Sequence, residues 1–142
     1  MEPRLAASFL DLPWHPALVH FPIAFLFTAG VAVLLHHLIG RASLDRLAGS
    51  LIPLGVATFP VVVLTGLRDA GWGDFFRTLD MSQPLPWHVL AGVVTIVVST
   101  GWWTARRMFA DTLTVRADCV FAGATVWLLV LTGLLAGEVV FA

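Results

Sequence analysis

Four unbroken apolar runs, each roughly as long as a bilayer is thick, constrain this chain more than any other feature. They cover about Pro16 to Ile39, Leu47 to Leu67, Pro86 to Thr104 and Cys119 to Phe141. A helix that crosses the hydrocarbon core needs roughly 20 apolar residues, whereas a buried strand needs only about 4–8. A membrane β-barrel would instead show shorter segments of alternating polarity. The stretches between the runs, 40-GRASLDR-46, 68-RDAGWGDFFRTLDMSQPL-85 and 105-ARRMFADTLTVRAD-118, hold most of the charge and several turn residues. Only 12% of all residues are charged, about half the share of a soluble domain, which is roughly 25%. The expected fold is therefore all-α, a single integral membrane domain over residues 1–142 built as a four-helix bundle.

Several function classes fall away on composition. Lysine is absent and the net charge is −1, so there is no nucleic-acid signal. Cys119 is the single cysteine, which excludes an intrachain disulfide and a CxxCH haem-attachment motif. It has no nearby histidine, so it reads as a structural thiol rather than a nucleophile. Ser50 and Ser99 lack an evident base, and 71-GWG-73 is too short for a phosphate loop. The first thirteen residues contain Glu2, Arg4 and Asp11, so no cleavable signal peptide is expected there.

Short cytoplasmic loops carry an excess of basic residues. The first and third connections hold Arg41, Arg46, Arg106, Arg107 and Arg116, and the N-terminus and second connection hold Arg4, Arg68 and Arg77. That bias of five to three places both termini outside, in a bacterial inner (cytoplasmic) membrane crossed several times. Trp14, Trp72 and Trp87 would then line the outer interface, and Trp102 and Trp103 the inner one.

Two strings recur in the same order. LPWH opens the first and third runs, at 12–15 and 85–88, and VLTGL ends the second, at 63–67, and lies near the end of the fourth, at 130–134. This pattern predicts a duplicated helical hairpin, its halves parallel and related by an axis along the membrane normal. His15 and His88 would then occupy comparable places at the outer end. His15 precedes Pro16, which biases it toward extended backbone, and Pro22 is expected to kink or fray the local helix. His20 lies about 6 Å deeper than Pro16 at 1.5 Å per residue. His36 and His37 sit at the other end of the first run.

On the third run His88, Gly92, Thr95 and Ser99 share one helical face. Gly55, Thr58, Val62, Thr65, Gly66 and Asp69 form a similar stripe on the second, and Gly123, Val130, Gly133 and Gly137 on the fourth. Small residues let backbones or a flat cofactor approach closely, and ordinary helix packing uses the same pattern. Asp69 and Glu138, near the outer ends of the even runs, are candidates to accept a ring N–H and fix a histidine tautomer.

Two readings of the three outer histidines compete with a purely structural one. The first is a single haem b held by two imidazoles from different helices, in the manner of bundle cofactor sites. His20 with His88 is the preferred pair, since both are helical, and His15 with His88 follows from the repeat. The second is a copper or zinc site built from all three imidazoles.

The strings 14-WHPALVHFPIA-24, 65-TGLRDAGW-72, His88 and 132-TGLLAGEVVFA-142 resemble the DUF2231 family of predicted bacterial membrane proteins. The resemblance extends from about Leu12 to the end, with Ala136 and Phe141 departing from the family's closing glycine and tyrosine. It implies a four-helix membrane domain whose motif residues fall on His15, His20, Asp69, His88 and Glu138. It also implies redox work at the outer face, because some relatives carry a Rieske iron–sulfur domain and others sit beside cytochromes. The combined expectation is a b-type cytochrome-like electron carrier rather than an enzyme acting alone. Its partners would be membrane lipid, a periplasmic Rieske or cytochrome c protein or a quinone, and a second copy of the chain as a homodimer. The alternative is a non-redox membrane subunit or anchor.

Overall fold

The computed structural model describes residues 14–71 and 80–141. The described residues form five helices: α1 (Trp14–Leu18), α2 (His20–Ile39), α3 (Ala42–Ala70), α4 (Pro84–Met108) and α5 (Val115–Phe141). Helices α1 and α2 together make the first span, so four helical segments are long and apolar enough to cross a membrane. Their most apolar windows have mean hydropathies of 2.2, 2.1, 1.4 and 2.2. The expected residues Arg4, Trp72 and Arg77 lie outside the described residues.

The helices run past the apolar limits read from the sequence. The third span begins at Pro84 and ends at Met108, and the fourth begins at Val115. Hydropathy marks where side chains meet lipid, but the backbone keeps its hydrogen-bond ladder through the polar interface. Arg106 and Asp118, expected in a loop, are therefore helical. His15 is also helical despite preceding a proline, and its carbonyl accepts the Val19 N–H at 3.0 Å. Pro22 leaves the carbonyl four residues back without its helical donor, and the helix is interrupted just there, at Val19. The tight link between α2 and α3 needs Gly40, whose φ of 69° suits glycine; its N–H closes α2 on the His36 carbonyl at 2.8 Å.

The spans pack as a ring. Helix α2 lies against α3 and α5, and α4 lies against α5 and, more thinly, α3. The first and third spans thus stand diagonally opposite. Leu26, Val33, Ile52, Trp102 and Ala122 fill the space between the spans and are almost wholly buried. Outward, Val97, Val120, Trp127 and Leu134 are each more than half exposed, the apolar exterior that lipid requires. The buried face of α5 is Ala122, Thr125 and Leu129, not the expected glycine stripe, in which Val130 and Gly133 are exposed. Ala122 is the small residue on that face, where α2 approaches closely at Gly30. Before α4, the Ser82 backbone amide and hydroxyl hold the Asp80 carboxyl below its ordinary value.

Candidate functional site

Two polar clusters close the bundle, one at each end. The first is built on His15 and His88. The carboxylate of Asp69, at the end of α3, accepts the His15 backbone N–H at 3.0 Å, which satisfies a free donor at the start of α1. The His15 ring meets the Val62 carbonyl through Nδ1 at 3.0 Å, and the His88 ring meets the Thr132 carbonyl through Nδ1 at 3.1 Å. A carbonyl oxygen only accepts, so each Nδ1 carries the proton and donates it. A ring of that tautomer, when neutral, has its lone pair on Nε2. The two ring centres lie 6.4 Å apart, with their planes at 85°. The first and third spans thus bring these two imidazoles together.

Gly66 makes room for this. A Cβ there would stand 3.0 Å from both Nδ1 and Cε1 of the His15 ring. Gly66→Ala is expected to push the ring off the Val62 carbonyl, at a cost of about 1–3 kcal/mol. The check is the melting temperature in detergent, together with loss of the ¹⁵N signature of the Nδ1-protonated tautomer at His15.

The other expected site residues fall elsewhere. His20 opens α2 with its side chain exposed. Glu138 is exposed and lines an open groove with Trp87 and Gln83. The ring N–H groups go to backbone carbonyls rather than to Asp69 or Glu138, and Asp69 acts through the main chain of His15. Among the described residues, no three His, Cys, Asp or Glu side chains converge to hold a metal ion. The repeat carries over in one respect: each LPWH histidine uses Nδ1 to clasp a carbonyl on the even helix of its own hairpin. It fails in another, since Gly66 is packed beneath a ring while Gly133 is exposed with nothing within 4 Å of a Cβ there.

The second cluster contains none of the expected site residues. Asp118, only 4% exposed, sits in the first turn of α5. Its Oδ1 accepts Trp102 Nε1–H and Arg106 Nε–H, both at 2.8 Å. Its Oδ2 accepts Arg106 Nη2–H at 2.9 Å and His37 Nε2–H at 3.1 Å. Arg106 reaches on to Asp45 Oδ1 at 2.6 Å, and its guanidinium carbon lies 5.9 Å from the Trp102 ring centre. One carboxylate with four donors therefore ties α2, α4 and α5 together, and Arg106 adds α3. Trp102 is wholly buried here, not part of an interfacial belt as expected. A signal was present in the sequence: Asp118, Ala122, Thr125, Leu129 and Thr132 repeat at helical spacing, and Trp102 and Arg106 lie four residues apart.

Four apolar spans around a polar cluster at either end define a multi-pass membrane protein. The family described as predicted membrane protein (DUF2231) matches residues 11–142, nearly the whole chain. The chain belongs to that family. No match was found among curated proteins or among solved structures.

Proposed function

We propose that the protein is a membrane-embedded electron carrier that binds one haem b between His15 and His88. The observation that carries this reading is the pair of Nδ1 to carbonyl bonds, which in neutral rings would leave each Nε2 to act as a ligand. Metal-binding histidines are commonly oriented by such a bond from the other ring nitrogen. With ring centres 6.4 Å apart, His15 and His88 are the residues that would hold the group. Two protein ligands suit a haem, whose macrocycle supplies the other four, better than zinc or copper, which ask for three or four protein ligands. The thin contact between α3 and α4 is the side where a flat group displaces least. Bound there, a haem supplies a one-electron iron couple in a low-dielectric setting. The chain's own part is to orient both rings, exclude water and fix their tautomers.

The excess of arginines at the Asp118 end supports an inner-membrane orientation with that end cytoplasmic and the histidine end outside. The electron partner would then be a periplasmic redox protein or a quinone.

The test is an absorption spectrum of the full chain, purified in detergent after haem-replete expression. A Soret band that shifts on dithionite, vanishes in His15→Ala and in His88→Ala, and survives in His20→Ala is expected. A colourless protein of full helicity overturns the reading, as does a band indifferent to either substitution. In that case the two histidines serve as clasps within each hairpin of a non-redox subunit, and both variants lower the melting temperature without a spectral change. Metal analysis of the same sample decides for or against copper and zinc.

A further inference from the structure

We propose that the open groove between the start of α4 and the end of α5 is a binding site for one phospholipid whose head carries a primary ammonium, of the phosphatidylethanolamine type. The groove has a volume of about 850 Å³, within the roughly 300–1,000 Å³ of ligand clefts. Gln83 and Trp87 line it from the α4 side, and Leu134, Leu135, Gly137 and Glu138 from α5. It stays open at Gly137, where a Cβ would meet nothing within 4 Å.

Charge says what the groove accepts. Glu138 lies near the end of α5, whose last turn carries no basic residue. A helix C-terminus bears partial negative charge, and its last carbonyls lack helical donors. A cation belongs there, and the chain places a carboxylate instead. The three ion pairs among the described residues all lie at the opposite end of the bundle, and none involves Glu138. Trp87 adds a second attraction. Its Nε1–H donates to the Met81 carbonyl at 3.0 Å, which fixes an indole that is 47% exposed in the groove wall. A primary ammonium gains from both groups: the ring quadrupole attracts the cation, and its three N–H donors suit a carboxylate and free carbonyls. A quaternary ammonium keeps only the first gain. An anionic head is repelled by Glu138.

The order of residues along α5 says that the cation carries a tail. Leu134 and Leu135 lie about one turn, roughly 5 Å, deeper in the span than Glu138, and Leu134 is 65% exposed. A soluble amine would use only the polar end of the groove, whereas a phospholipid uses its whole length. Its ammonium meets Glu138 and Trp87, and an acyl chain lies along Leu134. Its phosphate meets the side-chain amide of Gln83, which makes no capping bond to α4. The site uses neither His15 nor His88 and stands whether or not they hold a haem.

The full chain is delipidated in mild detergent and titrated with phosphatidylethanolamine, phosphatidylcholine or phosphatidylglycerol of identical chains, and bound lipid is counted by native mass spectrometry. Retention of one phosphatidylethanolamine per chain, in preference to the other two lipids, is expected. Glu138→Gln should weaken that retention by about tenfold, the effect of losing one charge-assisted hydrogen bond, and remove the preference over phosphatidylglycerol. Glu138 is exposed, so this change leaves the packed interior alone. Gly137→Leu, which fills the groove without altering a charge, should abolish retention, while lipid-facing Trp127→Leu leaves it unchanged. Equal retention of the three lipids overturns the proposal, as does a preference that survives Glu138→Gln. Phosphoethanolamine without acyl chains serves as a competitor. Displacement of the lipid by an equal concentration of it would show that the groove reads a soluble amine, and would overturn the lipid.

Discussion

Asp118→Ala is expected to destabilise the folded bundle by about 3–5 kcal/mol, the range for breaking a buried ion pair by removing one partner. The carboxylate accepts four hydrogen bonds, from Trp102, Arg106 twice and His37. Its removal leaves a guanidinium whose side chain is only 18% exposed facing Asp45 alone, and that carboxylate is itself 46% exposed. Most of the cost is the uncompensated charge rather than the lost attraction. Arg106→Met in the same chain should therefore recover much of the loss, since apolar replacement of a whole buried pair is often neutral or better. Reversible denaturation in a mixed-detergent titration of the two single variants and the double variant checks this. Equal effects for the double variant and the sum of the singles would show that the cluster does not act as a unit.

Gly55→Ala is the second substitution expected to have a large effect. Its Cβ would stand 2.5 Å from Cγ and 2.8 Å from Cδ2 of Leu26, a side chain with no exposed surface. Overpacking of this kind costs about 1–3 kcal/mol. Leu26→Ala alone should cost about 2–5 kcal/mol through the cavity it leaves. Together the two should cost less than their sum, because the added methyl occupies part of that cavity. The same titration measures the cycle. Gly30 plays the matching part between α2 and α5, where a Cβ would stand 2.5 Å from Cγ2 of Val126 and 3.2 Å from the backbone oxygen of Ala122. Close helix approach at small residues, not hydrophobicity, is what gives membrane helices their packing specificity.

How far the site could be read in advance differs by residue. His15 and His88 were paired by the repeated LPWH, a covalent pattern that needs no folding to be seen. His20 looked the better ligand because it is helical, yet helicity says nothing of direction, and at the start of α2 its side chain faces outward. Asp69 is expected to accept a histidine ring N–H, yet it accepts the main-chain N–H of His15. Hydropathy averages a window, and one carboxylate at the edge of an apolar run, Asp118, is lost in that average. Trp102 was assigned to the interface on residue type, whereas its burial follows from the carboxylate waiting on α5.

The sequence by itself determined that this chain crosses a membrane four times as helices, because backbone polar groups in hydrocarbon must be satisfied within the segment and length then suffices to count the spans. Which faces meet was decided only by tertiary structure. Apolar residues surround these helices on nearly every side, so hydropathy cannot distinguish lipid from a neighbouring span. The few sites of close approach, at Gly30, Gly55 and Gly66, and the donors that converge on Asp118 set the rotation of each helix, and through it the meeting of His15 with His88.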